Sequence, residues 1–221
     1  MTDHEILTAL YDETLVGNAP RVLELTHEGL AQGMTPETML FDALIPSLEE
    51  VGARFERGDF FVPEMLVAGR AMAGALDVLR PLLAETGAQT VGTFLMSTVK
   101  GDVHDIGKNL VDIMLEGAGF HVIDLGVQVS PEKLIAGVLE HKPDIVGFSA
   151  FLTTTMPMFK ANINALQKAG LRDSVIVMVG GAPVTQEYAD AVGADGFAAD
   201  ASTAVRKAKE LLARRRAAVG V

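Results

Sequence analysis

The hydrophobic period changes once along this chain, near Thr86-Gly87-Ala88, and no single architecture accommodates both sides of the change. Ahead of it, apolar residues recur at helical spacing. Thr2 and Glu5 have capping-box spacing before Ile6, Leu7 and Leu10, and Asn18-Ala19-Pro20 opens a second run that stops at Gly33. Thr35-Pro36 opens a third, in which Met39, Leu40, Ala43, Leu44, Leu48, Val51 and Phe55 keep the period as far as Gly58, with a kink expected at Pro46. A fourth helix follows Pro63 and runs to Glu85 on Met65, Leu66, Met72, Leu76, Leu79 and Leu83, irregular near Pro81. Residues 1–88 thus read as a small helical bundle. Beyond the change, short apolar runs at Thr90–Val99, His121–Leu125, Asp144–Ala150, Ser174–Val179 and Gly196–Ala198 alternate with helical segments, the last from about Ser202 to Arg215. The expectation for residues 89–221 is an α/β domain with a doubly wound, five-stranded parallel sheet, covered on both faces.

Charge follows the same division. Residues 1–88 hold 15 acidic and 5 basic side chains, whereas residues 89–221 hold 14 and 13. A basic stripe is missing apart from Arg214-Arg215-Arg216, and Trp is absent, so nucleic-acid binding is disfavoured. The longest stretch without a charge, residues 145–159, is short of a membrane span. The N-terminus lacks the basic start and apolar core of a signal peptide, and there is no cysteine, so the expectation is a cytoplasmic protein without a membrane partner. Any metal must be held by His or oxygen.

In an open parallel sheet, ligands sit beyond the carboxyl ends of the strands. The loop after the first strand reads Lys100-Gly101-Asp102-Val103-His104-Asp105-Ile106-Gly107, which is neither a dinucleotide fingerprint nor a phosphate loop. An imidazole is a common metal ligand, and a carboxylate on its other ring nitrogen fixes the tautomer and raises its basicity. Asp102 is placed to do this for His104. It is equally placed to cap the helix near Ile106, which on residue types alone is the more ordinary reading. After the third strand, Ser149, Thr153, Thr154 and Thr155 lie beside Phe151 and Leu152, and the fourth strand ends in Gly180-Gly181-Ala182. Residues without a Cβ admit close approach to a flat ligand.

Asp-x-His-x-x-Gly after the first strand, Ser-x-Phe-x-Thr after the third and Gly-Gly after the fourth resemble the cobalamin-binding domain of methionine synthase and of the corrinoid proteins of methyltransferase systems. Val51-Gly52, Phe55, Gly58 and Phe61-Val62-Pro63-Glu64 resemble the helical cap of those families, so the likeness spans almost the whole chain. The resemblance implies a flavodoxin- or Rossmann-like domain holding cobalamin (methylcobalamin when loaded), with the benzimidazole displaced by His104 as the cobalt ligand. Asp102 and Thr155 become its relay partners, with His104, Asp102 and Thr155 the reactive set. Val103, Asp105, Ile106 and Gly107 become part of the cofactor loop. Gly107, Gly180, Gly181 and Ala182 become the slot for the nucleotide tail, which Ser149 and Thr153 hydrogen-bond, and Phe151, where leucine is more usual, becomes part of its wall. Phe61 and Met65 are expected to cover the upper face of the corrin, with a hinge at Thr86-Gly87-Ala88.

The implied function is a methyl carrier that is not catalytic alone. Its implied partners are a substrate-specific methyltransferase, a second methyltransferase with a tetrahydrofolate or thiol acceptor, and a reductive activator. The principal rival is a cobalamin-dependent sensor of light or of the cofactor, disfavoured because that group carries a cap Trp and a DNA-binding domain in front. A mutase subunit and a metal-free module of the same architecture are further alternatives. The sequence leaves the methyl donor and acceptor open.

Overall fold

The structure, a computed structural model, describes residues 1–86 and 90–219. Gly87 and Ala88 of the expected hinge, and the expected domain boundary after residue 88, lie outside the described residues. The chain divides into two compact units, Met1–Thr90 with Glu116–Gly119, and Val91–Leu115 with Phe120–Val221. Among the described residues no helix is long and apolar enough to cross a membrane.

The first unit contains α1 (Asp3–Leu15), α2 (Ala19–Ala31), α3 (Pro36–Met39), α4 (Ile45–Arg57) and α5 (Val62–Thr86). The capping box at Thr2 and Glu5 is present, each side chain accepting from the other residue's backbone N–H. Ile6, Leu10, Val22, Leu25, Met39, Leu44, Leu48, Met72 and Leu79 are buried, and α2 packs along α5. Burying each of the larger side chains contributes about 1.5–3 kcal/mol. The irregularity expected at Pro46 takes a specific form. Residues Leu40–Leu44 make a π-helical turn, in which the Ile45 N–H reaches back five residues to the Leu40 carbonyl. Pro46, which has no N–H to continue the regular ladder, then sits in the first turn of α4. Gly58 ends that helix in the left-handed conformation (φ 77°).

The second unit is built on a five-stranded, all-parallel sheet in the order β2-β1-β3-β4-β5. Its strands are β1 (Thr93–Thr98), β2 (His121–Asp124), β3 (Ile145–Ser149), β4 (Ile176–Gly180) and β5 (Gly196–Ala198), connected by α6 (Ile106–Gly117), α7 (Pro131–His141), α8 (Pro157–Lys168) and α9 (Gln186–Val192). The final helix is α10 (Ala201–Val219). Leu95, Val146, Phe148, Val177 and Val179 pack on one face with Leu134 and Val138 of α7 and Phe159, Ile163 and Leu166 of α8. The alternate residues Phe94, Met96, Ile145, Ile176 and Met178 are buried as well, and α10 packs on β4 and β5. A sheet apolar on both faces explains why the strands read as continuous runs instead of alternating ones. The first strand is shorter than expected, beginning at Thr93, whose N–H donates to the Asp144 side chain (2.8 Å) where a ladder bond would otherwise be needed.

Candidate functional site

The strand order places β1 next to β3, with the chain leaving β1 towards β2 on one side and β3 towards β4 on the other. This is the topological switch point, where the loops leaving adjacent strands part and open a crevice. Val99 N–H donates to the Ser149 carbonyl (3.0 Å), so the β1–α6 and β3–α8 loops leave the sheet side by side. Residues about fifty apart in sequence meet there.

Asp102 is the point of junction. Its side chain is fully buried and is turned to other donors instead of capping α6; Asp105 occupies the position before that helix, and its backbone carbonyl accepts the first helical bond, from the Asn109 N–H at 2.7 Å. Asp102 Oδ1 accepts from the His104 backbone N–H (3.1 Å) and lies 2.7 Å from His104 Nδ1. Asp102 Oδ2 accepts from the backbone N–H of Phe151 (2.8 Å) and Leu152 (3.2 Å) and from the Thr155 hydroxyl (2.7 Å). The hydroxyl also has the Leu152 carbonyl within 2.8 Å, but a single hydrogen goes preferentially to the charged acceptor. Burial alone would push the Asp102 carboxyl up. The hydrogen bonds from His104, Thr155 and Phe151 outweigh it and hold the group well below the usual carboxylate range.

An ionised Asp102 against Nδ1 keeps the proton on that nitrogen and leaves the lone pair on Nε2. The His104 side chain is 44% exposed, and its ring stacks on Phe151 at 4.4 Å between centroids and 28° between planes. The Thr98 hydroxyl, fully buried at the end of β1, donates to the His104 carbonyl (3.0 Å). Val103, Phe151 and Leu152 of the two loops and Ile106 at the start of α6 are exposed, an apolar collar for the site, and of these Phe151 stacks on the imidazole.

The remaining expected residues are distributed less tightly. Ser149 is half-buried at the end of β3, and Thr153 and Ala182 are exposed. The two glycines after β4 have roles in the fold itself. Gly181 has φ +127°, and a Cβ there would stand 1.9 Å from the Ala150 carbonyl oxygen; one on Gly180 would stand 3.0 Å from that of Ala198. Gly107 is different, since a Cβ there would meet nothing within 4 Å and its φ is ordinary. Among the described residues no neighbour requires glycine at 107, so the space it leaves is available to a ligand. Phe61 and Met65 belong to the helical unit. Phe61 is 65% exposed at the start of α5, its N–H donating to the Glu64 carboxylate (3.0 Å), while Met65 is fully buried.

Three participants escape a reading by spacing. Thr98 and Leu152 act through a neighbour's backbone or through their own. Lys108 is a buried cation whose Nζ donates to Asn109 Oδ1 (2.7 Å), Asp112 Oδ2 (3.0 Å) and Asp124 Oδ2 (2.5 Å). Burial would lower the Lys108 pKa, but the two carboxylates raise it on balance. The four-residue spacing to Asp112 is visible in the sequence; the link to Asp124 is not.

The donor set tests the fit of a corrin. Among the described residues no group of three or more His, Cys, Asp or Glu side chains could hold a metal ion. A single outward imidazole suits a metal that arrives with its other ligands in place, and an exposed apolar collar suits the flat, largely apolar body that carries it. The residues present fit the group.

Comparison with known proteins agrees. Two family models, each described as a B12 binding domain, match residues 92–208 and 6–80. The dimethylamine corrinoid protein of Methanosarcina barkeri is 41% identical over 96% of this chain and all of its own length. Trimethylamine corrinoid protein 2 of Methanosarcina mazei is 41% identical over 86% of this chain and 88% of its own. A chain in the crystal structure of the methanol:cobalamin methyltransferase complex from Methanosarcina barkeri is 28% identical, with a TM-score of 0.84 over 95% of this chain and 80% of its own. The likeness extends through both units, and on it the chain belongs to the cobalamin-binding corrinoid proteins of methyltransferase systems.

Proposed function

We propose that the protein is a methyl carrier that binds its corrinoid with the benzimidazole displaced and His104 on the cobalt, and that it passes a methyl group between partner methyltransferases. The observation that carries this reading is the His104 imidazole, tied at Nδ1 to a buried, ionised Asp102 at 2.7 Å and open at Nε2 within an apolar collar. The bound corrinoid supplies the cobalt that takes up and gives up the methyl group.

The chain's own residues govern the lower side of that chemistry. Asp102 holds the proton on Nδ1, so that Nε2 presents a lone pair, and Thr155 holds the far oxygen of Asp102. His104, Asp102 and Thr155 thereby form a line of two hydrogen bonds along which proton demand at the imidazole is passed inward. Val103, Ile106 and Leu152 offer exposed apolar surface to the body of the corrinoid, and Gly107 leaves open space in the first turn of α6.

Methylated amines are the methyl source we favour, because relatives that match over most or all of their length are named for dimethylamine and trimethylamine. The partners are then an amine-specific methyltransferase, an acceptor methyltransferase and a reductive activator, and the cytoplasm is the expected compartment for this cysteine-free chain. Electron paramagnetic resonance of the protein loaded with cob(II)alamin tests the central claim. Hyperfine coupling to an imidazole nitrogen is expected in the wild type and absent in His104→Ala. Benzimidazole coupling in both would refute histidine ligation.

A further inference from the structure

The contact between Phe151 and His104 has no role in the reading above, and it is an unusual place for an aromatic ring. Phe151 is 52% exposed, so it is not held there by the sheet core. It is stacked instead on the imidazole, 4.4 Å between centroids and 28° between planes, a close contact of the kind aromatic pairs make. Its backbone N–H donates to Asp102 Oδ2 (2.8 Å), while Asp102 Oδ1 holds His104 Nδ1 (2.7 Å). One buried carboxylate therefore ties both the imidazole and the backbone that carries Phe151.

The terminal torsion of a histidine is broad, and a single hydrogen bond at Nδ1 leaves the ring free to tilt about that contact. Because Nε2 lies across the ring from the anchored edge, a tilt displaces it sideways. A flat aromatic surface on one face blocks that tilt in one direction.

We propose that Phe151 is a positioning residue for His104: its ring fixes the plane of the imidazole, keeps Nε2 aimed outward, and so sets the share of bound corrinoid that is histidine-ligated. This rests on His104 being the cobalt ligand. The substitutions needed are mild, because the ring is half-exposed and the bond from the Phe151 N–H to Asp102 is independent of the side chain.

Phe151→Leu, Phe151→Ala and Phe151→Tyr are compared with wild type and His104→Ala in the full-length protein, by two measurements. Without corrinoid, the ring-proton resonances of His104, assigned by their loss in His104→Ala, are expected upfield in wild type and Phe151→Tyr, with the ring-current displacement lost in the Leu and Ala variants. With cob(II)alamin bound, the ratio of imidazole-coordinated to uncoordinated cobalt is expected to fall about 3- to 10-fold in Phe151→Leu and Phe151→Ala and to be restored in Phe151→Tyr. Unchanged His104 resonances, an unchanged coordination ratio, or a tyrosine variant that behaves like alanine each overturns the role of Phe151. If nitrogen coupling persists in His104→Ala, histidine ligation itself is wrong and this inference falls with it. If coupling is lost in His104→Ala but Phe151→Ala keeps the wild-type ratio of imidazole-coordinated to uncoordinated cobalt, only the role of Phe151 is wrong.

Discussion

Asp102 accepts five hydrogen bonds on two oxygens, and everything arranged around it is a donor. That geometry makes Asp102→Asn more disruptive than its size suggests. An amide oxygen can still accept from His104, but the NH2 end must then face the Phe151 and Leu152 N–H groups, donor against donor. Each buried N–H left without an acceptor costs about 1–3 kcal/mol. We expect Asp102→Asn to lower the thermal stability of the corrinoid-free protein and to weaken histidine ligation about 10- to 100-fold, read from the cob(II)alamin resonance and from a cobalt(II)/cobalt(I) potential shifted towards easier reduction. Thr155→Val removes one bond to the same carboxylate and no charge, so it should act in the same direction and less strongly. The sign of the pH dependence follows from the lowered Asp102 pKa. Stability that arises from a depressed carboxyl is present above its unfolded value, about 3.9, and is lost as the pH falls through the lower folded value. Denaturant titrations should therefore show the wild-type advantage over Asp102→Asn constant from neutral pH to about pH 5 and shrinking in stronger acid.

At the scale of elements, the site depends on how the β1–α6 loop is fastened to its neighbours. Asp102 fastens it to the β3–α8 loop, and Lys108, at the start of α6, fastens it to the end of β2 through Asp124. Asp124 also accepts from the Gly126 N–H (2.8 Å), so the β2–α7 turn joins the same network. Breaking a fully buried ion pair costs about 3–5 kcal/mol, but Asp124 is 40% exposed and partly screened, so Lys108→Met should cost nearer 2 kcal/mol in chemical denaturation. A lysine whose folded pKa is raised contributes stability below its unfolded value, near 10.4, and loses it as pH rises through the folded value. The difference between wild type and Lys108→Met should accordingly hold from pH 7 to about 9 and decline only above about 10.4. Corrinoid affinity should fall as well, because the helix that follows the His104 loop loses its tie to the end of β2.

At the scale of the molecule, the distribution of charge is the property a partner meets first. Residues 1–88 carry a net charge of −10, and residues 89–221 carry −1. A methyltransferase that docked through a basic face would be attracted to the first segment through a field that salt screens, whereas the collar proposed to hold the corrinoid is apolar. Partner-dependent methyl transfer should therefore slow as ionic strength rises from about 0.05 to 0.3 M, with retention of the corrinoid through desalting unchanged. The order of helices and strands, the parallel sheet and the proximity of Asp102 to His104 were all legible in the chain. Each depends on local spacing: a hydrophobic period, a capping residue, two side chains two positions apart. The π-turn before Pro46 was legible only as an irregularity, because sequence shows that proline removes a donor but not which neighbouring turn widens. Strand order is what the spacing does not carry. Only the placement of β1 beside β3 brings Thr155 and the Phe151 and Leu152 N–H groups, some fifty residues away, onto Asp102. The same packing assigns Gly181 to the approach of the Ala150 carbonyl, sets Phe151 beside the imidazole, and joins Lys108 to Asp124. Local chemistry decided which groups were available to hold the His104 imidazole. Burial of both sheet faces decided which of them meet, because the strand order that satisfies it is a property of the whole chain.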